Sequence, residues 1–487
     1  MNKKFYIALL CGAIFILSNC IALKYEFLLV PYFSAIVVVF YLLIFRFDWL
    51  MYLMAFATPF SLEFADTKYN IGISIPAEIM MVLLTLLFFV RLLYDVRLER
   101  KIIFHPVSIL IYLYLIWMLI TSITSEIPLV SFKYWASQLW FITACYFMVI
   151  LLIRNDIKKA VTYMNCYAIA LGIVIIIVTI KFALTGFAKH GQHWIMSPFY
   201  NDHTAYGAAI AFFIPLIIVL FVTDGTNTWK KFYYLLLMAV SLMGLYFSYC
   251  RAAWLSVFVA FSVWVVIKLR IKLSWLVVGM ALLFTTLYYF SDDILYKMGR
   301  NTQDSSGKFV EHLQSVSNIT TDASNVERLN RWVAAFGMIE ERPVLGWGPG
   351  TYQFVYAGYQ KGKYKTIITT NFGDGGNAHS EFIGPCAEMG IPGAIIVILL
   401  MITVLYVGIR TYNKTSDKLP KKLSLYATIA LISYYVHGIM NNFLNTEKLS
   451  LPFWAAIAII VVTDLSNEKF KSSKVQKFNT TLPPLES

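Results

Sequence analysis

Residues 324–352 read SNVERLNRWVAAFGMIEERPVLGWGPGTY, and residues 371–382 read NFGDGGNAHSEF. Both stretches lie in a polar interruption, from about Ser291 to Ser380, in a chain that otherwise consists of one apolar segment after another. Apolar runs of about 20 residues match the hydrocarbon thickness of a bilayer. The pattern therefore predicts a polytopic membrane protein with one large loop between its helices.

The composition supports the same class of protein. The chain has 487 residues, of which 59% are hydrophobic and 14% are charged, and its formal net charge is +13. Such a composition is too apolar for soluble domains. The lysines and arginines form short clusters between apolar runs, as in the cytoplasmic loops of membrane proteins, rather than one patch. We therefore expect membrane lipid around the chain and no nucleic-acid partner.

The apolar runs predict an all-α polytopic membrane protein with about 12–14 transmembrane helices. About 11 of these fall within residues 1–290, the large loop covers 291–380, and further helices cover 381–465. A Lys-, Ser- and Pro-rich tail over 466–487 follows, which we expect to be cytoplasmic and disordered. The predicted spans lie near residues 5–23, 27–45, 49–62, 77–93, 107–124, 135–153, 161–184, 204–222, 232–249, 252–268, 273–290, 381–408, 423–442 and 451–464.

Basic clusters alternate with weakly charged connections, and this alternation predicts an orientation. The clusters include the runs 91–101, 154–159 and 410–422. All of them fall on one side of the membrane if both termini are cytoplasmic. The opposite, extracytoplasmic side then receives the loop 291–380 and the short connections between the other helices.

Within the loop, apolar residues recur at helical spacing and predict an amphipathic helix that ends before Pro343. We expect this helix to lie across the mouth of the bundle with its apolar face down. Arg328 and Arg331 are three residues apart, so their planar donor forks could bind the oxygens of one phosphate or diphosphate. The alternative is a solvated helix face on which Glu327 pairs locally with an arginine. The apolar residues are Leu329, Trp332, Val333, Phe336 and Ile339.

Two further candidates stand at the edges of apolar runs. Arg251 lies in SYCRAAWLS between two spans, where a lone charge is costly unless it snorkels or meets an anion. His379 follows GGN just before the next span, and a histidine there can accept a proton near neutral pH, as a hydroxyl nucleophile requires. Glu381 and Glu388, near the same end of that span, either orient His379 or only snorkel to the interface.

The connection around residues 185–203 is a second polar segment on the predicted outer side. His190 and His193 have a His-x-x-His spacing, but no zinc framework accompanies them, so we expect no metal and no cofactor. The segment favours contact with a sugar or a polyprenyl chain, with His203 in a supporting role. Lys181, just before it, is available to the same anionic ligand.

Together, these elements and their order resemble the O-antigen ligase family, which also includes Wzy-like O-antigen polymerases and related bacterial glycan ligases. SYCRAAWLS is similar to the family's Ser-Arg-Gly-Ala-Trp-Leu element, and ERLNRW followed by RPVLGWGPGTY is similar to its next element. NAHSEFIGPCAEMGIPG looks like its His-Asn-Glu-Tyr and Glu-x-Gly-x-x-Gly elements. The resemblance covers about residues 200–405. It departs at Ala252, where glycine is usual, and at Ser380, where asparagine is common.

The resemblance implies a GT-C-like fold and a metal-independent inverting glycosyltransferase of the bacterial inner membrane, with its active site facing the periplasm. Such an enzyme transfers a glycan from undecaprenyl diphosphate to a sugar hydroxyl of an acceptor glycan or glycolipid, such as lipid A-core. Arg251 and Arg328 would hold the donor diphosphate and stabilise the leaving group, and His379 would position or deprotonate the acceptor hydroxyl. Arg331 is a second candidate for the diphosphate, because ERLNRW offers two arginines where the family element asks for one.

Three alternatives stay open at this point. The resemblance covers both a ligase, which we slightly favour, and a Wzy-like polymerase of polysaccharide repeat units. A lipid-linked oligosaccharide transporter or flippase fits the hydropathy equally well, but it would place polar residues or helix breaks near the bilayer midplane. A scaffold for other cell-envelope enzymes would leave the loop arginines and His379 dispensable.

Overall fold

The computed structural model describes residues 17–21, 24–25, 27, 29–66, 71–94, 98–187, 194–224, 227–271, 285, 323–360 and 376–480. Within these ranges the chain forms a bundle of α-helices with one small β-hairpin. Eight of the described helices are long and apolar enough to cross a membrane. This confirms the prediction of an all-α polytopic membrane protein. The predicted spans near 5–23 and 273–290 lie largely outside the described residues.

The helices follow one another along the chain with short connections. The first six are α1 (Leu29–Phe45), α2 (Phe47–Ala57), α3 (Ala77–Tyr94), α4 (Pro106–Ile123), α5 (Pro128–Ile153) and α6 (Lys158–Leu184). The remainder are α7 (His203–Asp224), α8 (Thr228–Phe247), α9 (Arg251–Leu269), α10 (Ala323–Glu341), α11 (Ile383–Lys414), α12 (Lys418–Gly438) and α13 (Glu447–Thr480). Single helical turns occur at Thr58–Phe60, Arg100–Ile103, Tyr352–Val355 and Tyr356–Tyr359, and a π-helical segment, Thr143–Phe147, interrupts α5.

The core is formed by the helices that are surrounded by others. Helices α5 and α7 and the first half of α13 are buried on nearly all sides, whereas α9 and α11 expose much of their apolar surface. A helix that is apolar all round is buried in a protein core or faces lipid. The exposed apolar faces of α9 and α11 therefore suit contact with the hydrocarbon of a bilayer.

A β-hairpin follows α2, where the sequence predicted the end of a third span. Strands β1 (Leu62–Asp66) and β2 (Ile71–Ile75) are antiparallel, with Leu62 opposite Ile75 and Asp66 opposite Ile71. The start of α3 holds the hairpin, because the backbone N–H of Ser74 donates to Glu78 Oε2 at 3.1 Å. The short predicted span near 49–62 is therefore an 11-residue helix followed by a turn and a strand.

The connections between helices meet at two ends of the bundle. We call one the site end; it contains the hairpin and the segments 124–127, 194–202, 342–360, 376–382 and 439–446. Contacts across it include Asn201 Nδ2 to Glu63 Oε2 (2.6 Å) and the backbone N–H of Glu126 to the carbonyl of Trp347 (3.0 Å). The opposite end contains the basic clusters 154–159 and 410–422. The polar loop and these clusters therefore lie at opposite ends, as the alternation in the sequence predicted.

Helix α11 is broken at Gly390, which has φ +69° and ψ 178°. The break leaves the carbonyls of residues 387–389 without helical partners. The backbone N–H groups of Trp347 and Gly348 donate to the first two, at 3.1 and 2.8 Å, and the Trp117 ring N–H donates to the third at 2.9 Å. The turn GWGPG thus replaces hydrogen bonds that the membrane interior would not supply.

Candidate functional site

Helix α10 buries a different face from the one that the sequence predicted. Ala334, Ala335 and Met338 are fully buried, whereas Phe336 is 52% exposed. Arg331, at 7% exposure, lies among the buried residues. Leu329, Trp332, Val333 and Ile339 of the predicted apolar face are half-buried, so the buried face is shifted from the predicted one and leaves only Phe336 exposed. Small side chains let α10 approach the bundle closely, and the space beside them holds a buried charge.

Arg331 forms a buried clamp. Its Nε donates to Glu327 Oε1 at 2.9 Å, its Nη1 donates to the carbonyl of Asn377 at 3.0 Å, and its guanidinium lies 5.3 Å from the centroid of the Tyr356 ring. This is the local pairing with Glu327 that the sequence left open, except that the pair is buried. Breaking a buried pair costs about 3–5 kcal/mol. Arg331 therefore fixes the segment that leads to His379.

Arg328 lies on the same helix, one turn before Arg331, and points to another part of the site end. Its Nε donates to the carbonyl of Met440 at 3.3 Å, in the connection after α12. Its side chain is only partly buried. The two arginines therefore hold two different segments, 376–380 and 439–446, on either side of α10.

His379 sits in a strained turn between these segments. It has φ +47°, a left-handed conformation that is uncommon for residues other than glycine and that often marks functional sites. Its backbone N–H donates to Asn377 Oδ1 at 3.0 Å. Burial and the charges of Arg331 and Arg328 lower the pKa of His379 to about 3, against smaller opposing effects of Asp202 and Asn441. The imidazole is therefore neutral at physiological pH and has one nitrogen that can accept a proton.

Three residues of this site were not among the predicted site residues. His437, at the end of α12, is buried, and its Nε2 lies 3.3 Å from Nδ2 of Asn441. Asp202 caps α7, because its Oδ1 accepts from the backbone N–H groups of Thr204 (2.7 Å) and Ala205 (2.8 Å). An ionisable residue inside a predicted span can signal function, but for His437 the sequence alone favoured a packed, hydrogen-bonded side chain.

The start of α9 belongs to the same cluster. Arg251 is its first residue and follows Tyr249, which is left-handed with φ +50°, and Cys250. Burial raises the pKa of the Cys250 thiol to about 11, while the charge of Arg328 lowers it and that of Asp202 raises it further. The charges of Arg328 and Asp202 therefore both act on the turn that carries Arg251. The structure brings together the elements that carry the three predicted catalytic residues, Arg251, Arg328 and His379.

Glu381 and Glu388 hold the backbone of neighbouring segments. Glu381 Oε1 accepts from the Tyr434 hydroxyl (2.6 Å) and from the backbone N–H of Phe443 (2.7 Å), and burial raises its pKa. Glu388 Oε1 accepts from the backbone N–H of Tyr352 at 3.1 Å. The sequence suggested that these carboxylates orient His379 directly, but the contacts described here are with other residues. They anchor the segments on both sides of it.

The residues predicted around the 185–203 connection are more widely spread. The Lys181 ammonium donates to the carbonyl of Ser197 within that connection. His203 is partly buried and follows the capping residue Asp202 at the start of α7. His190 and His193 lie outside the described residues. In the described ranges, no three His, Cys, Asp or Glu side chains lie together in a way that could hold a metal ion.

A cavity of about 340 Å³ opens beside the His379 turn. Asn377 and Ala378, which directly precede His379, form part of its wall. Its polar lining includes the carboxylates of Glu381 and Glu388 and the ammonium of Lys133. The segment 376–381 therefore separates a largely acidic cavity from the side of the site that carries the arginines.

Comparison with known proteins identifies the middle of the chain. Residues 234–398 match the family described as O-Antigen ligase. The chain carries a domain of the O-antigen ligase family. This domain includes Arg251, Arg328 and His379, whereas His437 and Asn441 lie beyond its end. The eight apolar helices among the described residues, together with this match, indicate a multi-pass membrane protein.

One curated relative adds sequence similarity without a described activity. A protein of Haemophilus influenzae that is described as uncharacterized is 24% identical over 135 residues. The match covers 28% of this chain and 33% of the relative, so the chain spans about a third of the relative's length.

Proposed function

We propose that this protein is a metal-independent, inverting glycosyltransferase that transfers a glycan from undecaprenyl diphosphate to a sugar hydroxyl. The observation that carries the proposal is at the site end, where the charge of Arg328 acts both on His379 and on Cys250, the residue before Arg251. The O-antigen ligase domain supports the same class of reaction. The site would face the periplasm from the inner membrane.

Arg251 and Arg328 have the charge that the donor requires. When the bond between the anomeric carbon and the diphosphate oxygen breaks, its electron pair stays on the diphosphate. Fixed guanidiniums stabilise that developing charge most strongly where water is excluded. Arg331 already serves Glu327 and Asn377, so in this proposal it shapes the site, and Arg328 and Arg251 bind the diphosphate. Lys181 is held by the Ser197 carbonyl and is a peripheral candidate.

His379 would take the proton of the acceptor hydroxyl as the acceptor oxygen bonds to the anomeric carbon. A neutral imidazole is the form required for this step. In the ligand-free protein the arginines hold the pKa of His379 at about 3, which makes it a weak base. The negative charge of a bound diphosphate offsets the arginines and raises that pKa. Donor binding therefore makes His379 a stronger base for the acceptor.

The acidic cavity suits the acceptor better than the donor. The carboxyl groups of Glu381 and Glu388 give a diphosphate no positive charge to bind, but they can form hydrogen bonds with sugar hydroxyls. Its wall includes Asn377 and Ala378, directly before His379. In this arrangement, acceptor and diphosphate approach His379 from different sides. Attack from the side opposite to the leaving group inverts the anomeric carbon.

A transporter is the alternative from another class, and the break in α11 at first suggests one. Gly390 lies seven residues from the start of α11, about 10 Å along the helix, so the break is near the site end. The groups that it frees are bonded by the GWGPG turn and Trp117. A transporter instead uses broken helices near the midplane to bind its substrate.

Purified protein in detergent tests the function. We expect transfer from a defined undecaprenyl-diphosphate glycan to an acceptor glycan with no second compartment. Arg328→Ala and His379→Gln should each reduce the rate about 100-fold or more, because charge stabilisation and general-base catalysis each contribute that much. Arg154→Ala, at the opposite end, is the matched control and should leave the rate unchanged. Unaltered transfer in both site variants would exclude the assignment.

The length of the product separates the two activities that the family covers. A ligase adds one preformed block to its acceptor, whereas a polymerase gives a ladder of repeat units. The same reaction mixture, resolved by size with a donor that carries one repeat unit, distinguishes them. The acceptor used for the assay should be offered both as a glycolipid and as a second donor molecule, because these are the acceptors of the two reactions.

A further inference from the structure

Helix α5 presents one polar face to the cavity beside the His379 turn. Lys133, Tyr134, Ser137 and Gln138 all line that cavity. Residues three or four apart lie on the same face of a helix, so these four side chains form one strip. Polar side chains within membrane helices usually face the bundle interior and mark substrate sites. The strip lies outside the matched region 234–398 and is a candidate surface for recognising a ligand.

Two of the four side chains are already held by the protein. Ser137 Oγ donates to the carbonyl of Tyr134 at 2.7 Å, and Gln138 Nε2 donates to the carbonyl of Leu444 at 3.0 Å. Within the described part of the chain, the Lys133 ammonium and the Tyr134 hydroxyl form no hydrogen bond. One cation and one hydroxyl on this face are therefore available to a molecule in the cavity.

Lys133 is a half-buried cation without an adjacent anion. No carboxylate oxygen of the described residues lies within 4.0 Å of its Nζ. Its charge acts on Glu78, at the start of α3, only from a greater distance. Holding an ammonium group partly away from water is costly unless it meets an anion or another acceptor. The position is therefore suited to an anion that comes from outside the protein.

The carboxylates of the lining are held by protein donors. Glu63 Oε2 accepts from Asn201 Nδ2 at 2.6 Å, and the Oε1 atoms of Glu381 and Glu388 accept from backbone N–H groups at 2.7 and 3.1 Å. Among the described residues of the lining, Lys133 is the only cation. Three carboxylates beside one ammonium disfavour a ligand with several negative charges. The lining therefore suits a ligand with a single one.

The rest of this wall offers hydrogen bonds to a sugar. Tyr114, on α4, also lines the cavity, and its hydroxyl, like that of Tyr134, forms no hydrogen bond with the described residues. A tyrosine combines an apolar ring with a hydroxyl that both donates and accepts. The Tyr134 ring is held by the GWGPG turn, because a Cβ on Gly350 would lie only 3.1 Å from its Cδ2. The wall thus combines fixed hydroxyls with one cation.

We propose that this cavity binds a sugar unit of the acceptor that carries one carboxylate, and that Lys133 recognises this carboxylate. The inference rests on the proposed function, which assigns the cavity to the acceptor. A lysine is a compact point charge that suits a single carboxylate, whereas the planar donor forks of arginines suit a diphosphate. The wall includes Asn377 and Ala378, so the bound sugar lies beside the His379 turn. Lys133 selects the acceptor and takes no part in the chemical step.

The first test measures binding and is independent of activity. The probes are methyl glucuronide and methyl glucuronamide, which have the same ring hydroxyls but differ in charge. We expect purified protein to bind the glucuronide at least about tenfold more tightly in an NMR saturation-transfer titration, because hydrogen bonds to charged groups are the stronger ones. Lys133→Met should remove this preference and Lys133→Arg should retain it. Lys158→Met, exposed at the opposite end, is the matched control and should behave like the wild type.

The second test is kinetic and uses acceptor glycans that end in glucuronate or in its amide. In Lys133→Met we expect KM for the acidic acceptor to rise at least about tenfold, because a binding contact is lost while the chemical step is unchanged. The values of kcat, of KM for the donor and of KM for the amide acceptor should stay within about twofold of the wild type. Thermal unfolding of the variant measures any structural effect of removing a charge that acts on Glu78.

The outcomes separate this inference from the proposed function. Equal binding of acid and amide by the wild type, or a preference that survives in Lys133→Met, would refute the role of Lys133. Tighter binding of glucose 6-phosphate than of the glucuronide would overturn the choice of a carboxylate. A raised KM for the donor in place of the acceptor would assign Lys133 to the diphosphate. If the preference depends on Lys133 but the wild type transfers no glycan, the proposed function fails and the binding site stands.

Discussion

The charges of Arg331 and Arg328 help to lower the pKa of His379, and this predicts the direction in which activity changes with pH. The pKa of His379 is lowered to about 3 in the free protein, so the ring stays neutral down to low pH. A base loses activity as it becomes protonated, so activity falls only when the pH approaches that value. Bound diphosphate offsets Arg328 and Arg331 and moves the loss of activity to higher pH.

We therefore expect the pH dependence of two kinetic parameters to differ. The parameter kcat/KM for the donor reports the free protein and should stay level as the pH falls from about 8 to about 4.5, whereas kcat reports the complex and should decline at higher pH. Arg328→Gln removes a positive charge and should move the decline of kcat/KM upwards. Initial rates at saturating acceptor measure both. A decline of wild-type kcat/KM near the ordinary histidine pKa of about 6.5 would contradict this account.

Some residues of the site were predicted from the sequence, whereas others are recognised only because the fold brings them close together. Arg251 and His379 were identified because each stands at the edge of an apolar run. The pairing of Arg331 with Glu327 is local in sequence and was foreseen as an alternative. Arg328 reaches the carbonyl of Met440, which is 112 residues further along the chain, and no local spacing encodes that contact.

At the scale of helices and strands, the sequence did not predict features that depend on backbone conformation or on small residues. Helix α10 was expected to bury its bulky residues, but it buries Ala334 and Ala335 fully and leaves Phe336 exposed. The predicted span near 49–62 ends at the first residue of β1, and its apolar residues did not distinguish a membrane span from a short helix, a turn and a strand. The break at Gly390 lies within a continuous apolar run, and hydropathy contains no information about the backbone conformation of one residue.

The docking of the GWGPG turn is testable by filling the space beside one glycine. Gly348 has φ +107°, and a Cβ there would lie 2.0 Å from Ser125 Oγ and 2.7 Å from Ser131 Oγ. Gly348→Ala should therefore displace the turn from α11 and destabilise the protein by at least about 1–3 kcal/mol. Thermal unfolding and the rate of proteolysis within 342–360 measure the effect.

Gly358→Ala is the matched control for this substitution. It lies ten residues further along the same segment, and a Cβ there meets no atom within 4 Å. The control should unfold at the wild-type temperature and resist protease equally well. If both variants behave like the wild type, the turn is not a necessary part of the packing around the break in α11.

At the scale of the whole molecule, the basic clusters and the candidate site lie at opposite ends of the bundle. Hydropathy was sufficient to predict a polytopic all-α protein, because a long apolar segment in a membrane must satisfy its own backbone hydrogen bonds and therefore forms a helix. The clusters 154–159 and 410–422 lie at the end opposite to Arg328 and His379. Lysine and arginine near span ends favour the cytoplasmic side. The site end therefore faces the periplasm in the orientation that we propose.

Labelling of single cysteines in intact cells tests this orientation. Val344, at the site end, is 59% exposed, and Ser416, at the opposite end, is also exposed. In a variant whose six cysteines are replaced, we expect a membrane-impermeant maleimide to label Val344→Cys in intact cells and Ser416→Cys only after permeabilisation. The reverse pattern would place His379 in the cytoplasm. A donor displayed on the outer leaflet could then not reach it, and the proposed transfer at the periplasmic surface would be excluded.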